Sequence, residues 1–362
     1  MTSENPFRPG FGIRPPFMAG RGKLIQQIVI DIRRGPGSTD FHHIVVGPRG
    51  TGKTALLAEI AHTMVDEHGG IPLWWTAGAL SFNDVIGEAA DRAGVPANVP
   101  PSEQPHSAHG AVERLAQVAS TQGQTVLILV DQAEMASPND VRSLATMIQE
   151  LAQVRGLPVS LLAAGLASTT STLAAATFLE RQALIRIGNL DLADSLDAIK
   201  IPVVEAGRLI GDEALHILAN GSQGYPYALQ LMAALAWDGS GDEGTIDRAS
   251  ARVAVEDATV RLNEQLFGQR WNQMTELDRE YVLAVVAELD PGMLVASSTR
   301  VERRLGLTPS QLGRTRDRLI NRHEVLYSPG RDQLMFSLPG FATWAAQPRP
   351  EAPKPHSGWS VT

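Results

Sequence analysis

Residues 41–54 read Phe-His-His-Ile-Val-Val-Gly-Pro-Arg-Gly-Thr-Gly-Lys-Thr, and this stretch decides the fold. Phe41 to Val46 is a short apolar run that predicts a strand. Lys53 to Val65 carries apolar residues at Leu56, Leu57, Ile60 and Met64, the spacing of a helix. Between them Gly47-Pro48-Arg49-Gly50-Thr51-Gly52-Lys53-Thr54 fits G-x-x-x-x-G-K-[ST], the P-loop pattern, at every fixed position. Glycines let the backbone curl around phosphate oxygens, and the helix that follows directs its free N–H groups at the anion. Lys53 is expected to reach the β- and γ-phosphates of ATP, and the Thr54 hydroxyl to ligate Mg²⁺.

The same alternation continues outward. Pro72 to Trp75 predicts a second buried strand and Ser81 to Arg92 a helix, while Gly94 to Gly110 is a Pro/Ser/His stretch without periodicity, long enough for a functional insertion. After a helix at Val112 to Ala119, every residue from Thr125 to Val130 is β-branched or leucine, which suits a central parallel strand covered on both faces. Ser137 caps the next helix with Pro138 at its first position, and that helix reaches about Arg155. Val159 to Ala163 is another strand, followed by a helix to roughly Leu179 and a last strand at Leu184 to Ile187. Crossovers of this length exclude hairpins. Residues 19–190 are therefore expected to be a P-loop NTPase core, an α/β parallel sheet with helices on both faces, behind an extended Pro/Gly-rich arm at 1–18.

Asp131 closes the most apolar strand, where its carboxylate would hold Mg²⁺ together with Thr54. The next residue is Gln132, which cannot accept a proton at neutral pH, so Glu134 is the candidate to polarise an attacking water if the loop curls back. Ala163, Ala164 and Gly165 at the end of the fourth strand offer no polar side chain, and Ser168 is the remote alternative beyond them. Slow or partner-dependent hydrolysis is thus as open as brisk turnover.

From Leu192 the pattern is helical: Ala193 to Ala206, Asp212 to Asn220, Pro226 to Trp237 and Ile246 to Leu266, so residues 191–268 are expected to form a helical lid. Residues 269–346 have a third pattern. Thr275 caps a helix through about Ala287, Val301 to Leu305 is a second, and Thr308-Pro309-Ser310-Gln311 is a capping box that opens a third. Val325 to Tyr327 and Gln333 to Phe336 close the segment as a hairpin. Three helices and a hairpin in that order predict a winged helix-turn-helix. The last residues, 347–362, cannot form a core.

Composition sets bounds on function. With 43% apolar and 19% charged residues the chain is globular, and its lack of cysteine removes disulfides and thiolate metal sites. The N-terminus carries no signal-like pattern, and no run of 18 apolar residues occurs, so a cytoplasmic protein without a membrane segment is expected. Net charge is −8, yet Ser298 to Arg331 holds eight arginines. Of these, Arg314 and Arg318 are expected on the solvent side of the third helix, with Arg316, Arg322 and Arg331 nearby. Since the whole chain has 27 Arg and 4 Lys, part of that richness is general usage. His42 and His43 are expected to pack, one inward and one outward. His106 and His109 have no carboxylate cluster beside them, Trp74 and Trp75 are expected in sheet packing, and no G-x-S-x-G elbow is present.

Asn5-Pro6-Phe7, Ala19-Gly20-Arg21, the P-loop, the strand ending in Asp131 and Gly224-Tyr225-Pro226 together resemble AAA-type ATPases of the origin-recognition, helicase-loader and signalling (STAND) group, over about residues 5 to 346. The resemblance implies an ATPase core, a lid and often a winged helix. It implies that Gly20 and Arg21 lie near the base and ribose and that Pro226 starts a lid helix beside the adenine, although Gly22 stands where the group commonly has glutamate. It also implies an arginine supplied by a neighbouring subunit or by the lid, for which Arg181 and Arg186 are candidates. The cofactors implied are ATP and Mg²⁺. Three functions follow: an ATP-driven conformational switch; a loader or recombination-helper ATPase acting on double-stranded DNA through the winged helix; or a scaffold that forms an ATP-dependent homo-oligomer or binds a protein partner without DNA.

Overall fold

The computed structural model describes residues 4–10, 12–94, 107–241, 244–289, 295–328, 330–338 and 340–347. His106 and most of the Pro/Ser/His stretch, Pro329 and the residues beyond Gln347 lie outside these. Five strands, His43–Val46 (β1), Ile71–Thr76 (β2), Val126–Asp131 (β3), Val159–Gly165 (β4) and Ala183–Arg186 (β5), form one parallel sheet in the order β2-β3-β4-β1-β5. Alternate residues of β3 serve opposite faces, as a two-residue period requires. Val126, Ile128 and Val130 pack with Trp75, Phe82 and Val112, beneath helices Phe82–Gly94 (α3), Ala108–Thr121 (α4) and Pro138–Ile148 (α5). Leu127 and Leu129 pack with Ile28, Ile32, Leu56 and Ile60 from Gly22–Arg33 (α1) and Lys53–His68 (α2) on the other face. β1 sits between β4 and β5, with Val46 in register with both Gly165 and Arg186. Its C-terminal end therefore opens at the point where strand order reverses, the crevice in which open α/β sheets bind ligands.

Three expectations about this sheet need correction. His42 and His43 are both buried, at 4% and 2% exposure, because β1 is interior and covered on both faces. Trp75 is buried, but Trp74 is 37% exposed because β2 is an edge strand. The helix expected up to Leu179 is two short ones, Thr169–Leu173 (α6) and Thr177–Glu180 (α7), separated where Ala176 turns extended. Leu173 and Leu179 both enter the same core cluster. Six residues apart on one continuous helix they would point about 120° away from each other, so the break lets both bury.

The chain divides into two compact units at Arg261/Leu262. The first adds Leu192–Glu205 (α8), Asp212–Ser222 (α9), Pro226–Gly239 (α10) and Arg248–Leu262 (α11) after β5. A two-residue parallel pair, Leu209–Ile210 (β6) with Thr245–Ile246 (β7), joins segments that periodicity read as loop and helix start. In the second unit come Gln269–Gln273 (α12), Glu276–Ala287 (α13), Val295–Ser297 (β8), Ser298–Leu305 (α14), Pro309–Asp317 (α15), Leu326–Tyr327 (β9), Gln333–Phe336 (β10) and Phe341–Ala345 (α16). The expected capping box of Thr308 with Gln311 is formed, and the expected Thr275 cap is itself a capping box, with Asp278. β8 is the strand periodicity missed, and it makes a three-stranded antiparallel sheet, β8-β10-β9. Arg318 does not face solvent as expected. Its guanidinium donates to the fully buried Asp278 carboxylate, at 2.6 Å from Nη2, because a buried carboxylate needs a countercharge. Among the described residues no helix is long and apolar enough to cross a membrane.

Candidate functional site

The glycine-rich segment wraps the C-terminal end of β1. Gly47 N–H donates to Gly165 O at 3.2 Å, which anchors the loop to β4. Thr51, buried, donates to Pro48 O at 2.8 Å and closes the turn. Gly50 and Gly52 have φ of 74° and 86°, left-handed values that let the backbone curl before α2 begins at Lys53. The Lys53 ammonium lies back across the loop on the carbonyls of Gly47 and Pro48, both at 2.8 Å. A cation beside a glycine-rich turn at a helix N-terminus suits a phosphate anion.

The second arm of the site is the end of β3. The Thr54 hydroxyl donates to Asp131 Oδ2 at 2.8 Å, so two oxygen atoms from residues 77 apart meet. Asp131 is 8% exposed, and its other oxygen accepts from Gln132 N–H at 3.0 Å. A hydroxyl and a carboxylate so placed suit a hard divalent cation such as Mg²⁺. Gln132 is exposed and left-handed, at φ 54°. Glu134 is turned toward β4. Its Oε2 accepts from Leu166 N–H at 3.0 Å and from the Thr169 hydroxyl at 3.4 Å. This is possible only because Gly165 has no side chain, since a Cβ there would overlap both Oε2 and the Thr169 hydroxyl. Glu134 therefore stands one residue pair from Gly47, across the Gly165 backbone.

The remaining expected residues fall around this centre. Arg21 donates to Gly188 O, directly after Ile187, and Gly20 lies against the Asp194 carboxylate at the start of α8. Burial and the neighbouring Asp191 charge raise the Asp194 pKa, and Arg21 opposes them. Pro226 is the first residue of α10, and Tyr225 before it rests on Gly50 of the loop. Arg49 and Arg181 are exposed, the latter at the end of α7. Arg186 is exposed on β5 in register with Val46, nearer the loop than Arg181 in the sheet's register. The hydroxyl that meets Glu134 beyond β4 is that of the buried Thr169, the residue after Ser168. The N-terminal arm follows the same edge: Asn5 donates to Ala234 O and Asp238 on α10, Gly12 lies beside Thr54, and Arg14 pairs with Glu59 on α2.

Comparison with known proteins agrees with this geometry. Residues 18–162 match the AAA ATPase domain. The match spans the phosphate loop, Asp131 and Glu134, and it ends inside β4. Residues 264–345 match a domain of unknown function (DUF8462), whose start falls within two residues of the break between the two units. No curated protein matches the chain in sequence. Among solved structures, the fold is similar to the ORC2 protein of Aeropyrum pernix, determined in ADPNP-ADP complexes. That match has a TM-score of 0.63 at 14% identity, over 92% of this chain and 93% of that one. A Walker-type ATPase of Pyrococcus abyssi has a TM-score of 0.60 at 13% identity, over 93% and 98%. Cdc6p of Pyrobaculum aerophilum has a TM-score of 0.52 at 16% identity, over 92% and 94%.

Beyond the matched residues 18–162, the fold brings to the site three residues to which the sequence had given no role there. Thr169 and Asp194 carried no local signal, since their partners are 35 and 174 positions away. Tyr225 did carry one, as the middle residue of Gly224-Tyr225-Pro226, but its seat on Gly50 depends on a partner 175 positions away.

Proposed function

We propose that the protein is an ATP-binding conformational switch with slow or partner-stimulated hydrolysis. In this reading residues 47–54 cradle the phosphates, Lys53 reaches the β- and γ-phosphates, and Thr54 and Asp131 hold Mg²⁺. The reading rests on the 2.8 Å bond between Thr54 and Asp131, which joins a hydroxyl and a carboxylate beside the Lys53-bearing loop. Gly20, Arg21 and Pro226 border the base and ribose, and helices α8 to α11 act as the lid. Slow turnover is supported by Gln132, whose amide takes no proton, and by Glu134, whose carboxylate is engaged with Leu166 and Thr169. An exposed Arg181 or Arg186 suits an arginine offered to a second copy's nucleotide, which would make hydrolysis depend on assembly. The bound nucleotide supplies phosphate charge for the loop and its cation; the chain's residues position it and close over it.

The second unit has the helix, strand, helix, helix, hairpin order of a winged helix, and its exposed Arg303, Arg314, Arg322 and Arg331 favour double-stranded DNA as the partner read by the switch. The deciding experiment is equilibrium titration of the full chain with a non-hydrolysable ATP analogue and Mg²⁺. Wild type is expected to bind in the micromolar range and Lys53→Ala at least about tenfold more weakly, since a charge-assisted contact to phosphate is lost. Absence of binding at millimolar analogue would reject the reading.

A further inference from the structure

α10 approaches the phosphate loop through one side chain. Tyr225, the residue before its first turn, is 3% exposed, and a Cβ on Gly50 would overlap its hydroxyl and ring carbons. The phenol thus lies on the middle of the loop whose Gly47 and Pro48 carbonyls hold the Lys53 ammonium. Its position is fixed from behind. Gln223 and Gly224 are both left-handed, at φ 49° and 71°, and Gly224 is seated on Leu190, whose N–H donates to Gly224 O at 2.8 Å. Leu229 N–H donates to Tyr225 O at 2.9 Å, Pro226 stiffens the next residue, and the Tyr227 ring stands edge-on at 6.3 Å. The first turn of α10, Pro226 to Leu229, carries no charged residue, so the polar group this helix brings to Gly50 is a phenol.

Lys53 reaches the β- and γ-phosphates in a loop of this pattern, and Gly50 lies in the same loop. We propose that the Tyr225 hydroxyl donates a hydrogen bond to the terminal phosphate of a bound nucleoside triphosphate, and that this bond sets the position of α10 over the loop. The inference rests on the nucleotide-binding reading above. A phenol is a donor that carries no charge of its own, so it adds to triphosphate affinity without holding a diphosphate, which ends one group earlier. The lid then distinguishes the two nucleotides through a single contact, and a ligand shifts a conformational equilibrium only by such differential affinity.

The test uses the full chain as wild type and Tyr225→Phe, which keeps the ring and its packing. Affinities for the Mg²⁺ complexes of a non-hydrolysable ATP analogue and of ADP are measured by calorimetric titration, with hydrogen exchange of residues 226–239 as the second readout. The expected result is an analogue Kd raised about tenfold, equivalent to about 1.4 kcal/mol, with the ADP Kd within about twofold of wild type, as loss of a single bond to a charged group allows. Analogue-induced protection of 226–239 is expected in wild type and lost in Tyr225→Phe. Equal weakening for both nucleotides, or no change in either, overturns the proposal while leaving nucleotide binding intact. Wild type that binds neither nucleotide overturns the binding reading and this proposal with it.

Discussion

Gln132 and Glu134 are the two polar side chains that follow the strand-end Asp131. Gln132 occupies the adjacent place but has only an amide to offer, and Glu134 has the carboxylate but spends it on Leu166 N–H and the Thr169 hydroxyl. Freeing Glu134 would leave two donors beside Gly165 without acceptors, a cost of about 1–3 kcal/mol per buried group. His42, directly before β1, is a buried titratable side chain of the same sheet. His42 Nδ1 accepts from Leu161 N–H at 3.1 Å, and burial, followed by the nearby His43, pushes its pKa down to about 4. The unfolded chain takes up that proton first, near the ordinary histidine value of about 6.5. Stability is therefore expected to fall as pH drops from about 6.5 toward 4, with a slope approaching about 1.4 kcal/mol per pH unit from this group. His42→Asn, which can keep an acceptor for Leu161 but does not titrate, should flatten the slope in urea unfolding monitored by exchange of 43–46. An unchanged slope would assign the acid loss to other groups.

At the scale of elements, strands and caps were legible because their signals are local: apolar runs for β1 to β5, Ser137-Pro138 for α5, the Thr275 cap for α13 and the Thr308 box for α15. What stayed hidden depends on distant partners. β8 is three residues long and exists because β10 pairs with it, and α6 and α7 separate because Leu173 and Leu179 share one core. Likewise Arg318 read as a solvent-facing helix residue, since nothing nearby reveals that Asp278, 40 positions earlier, is wholly buried. That pair joins α13 to the end of α15, with His323 Nε2 3.5 Å from the same carboxylate. Burial alone would raise the Asp278 pKa, but the bonds from Arg318 and Thr275 outweigh it and hold it below the usual carboxylate value. Its contribution is thus complete above the unfolded aspartate value of about 3.9 and fades as pH falls through the lower folded one. Removing one partner strands the other, so Arg318→Ala is expected to destabilise the second unit by about 3 kcal/mol at neutral pH. Exchange of amides 276–287 in denaturant reads this directly. An effect under about 0.5 kcal/mol would mean that Thr275 and His323 satisfy the carboxylate without Arg318.

For the whole molecule the question is how a chain of net charge −8 could hold a nucleic acid. Total charge decides little, because the phosphate backbone responds to cations gathered on one face. Here half of the arginine-rich stretch is already committed. Arg300 and Arg304 engage Glu288, Arg316 donates to Ser328, and Arg318 serves Asp278. Arg303 and Arg314, on α14 and α15, Arg322 at the end of the third helix, and Arg331 between β9 and β10 are exposed. Four phosphate contacts predict that log K for a DNA duplex falls against log salt with a slope of about −3 to −4, at roughly −0.9 per contact. Eight contacts would give about −7, so the slope itself tells whether the committed arginines let go of their partners on binding. Arg331→Ala should reduce the slope by about 1 and weaken all duplex sequences alike, as loss of a backbone contact does. The measurement is fluorescence anisotropy of labelled duplex between 50 and 200 mM salt, on the order of the range over which such terms are resolved. A flat dependence, or no binding at the lowest salt, would remove duplex DNA as the partner and leave the second unit to contact protein.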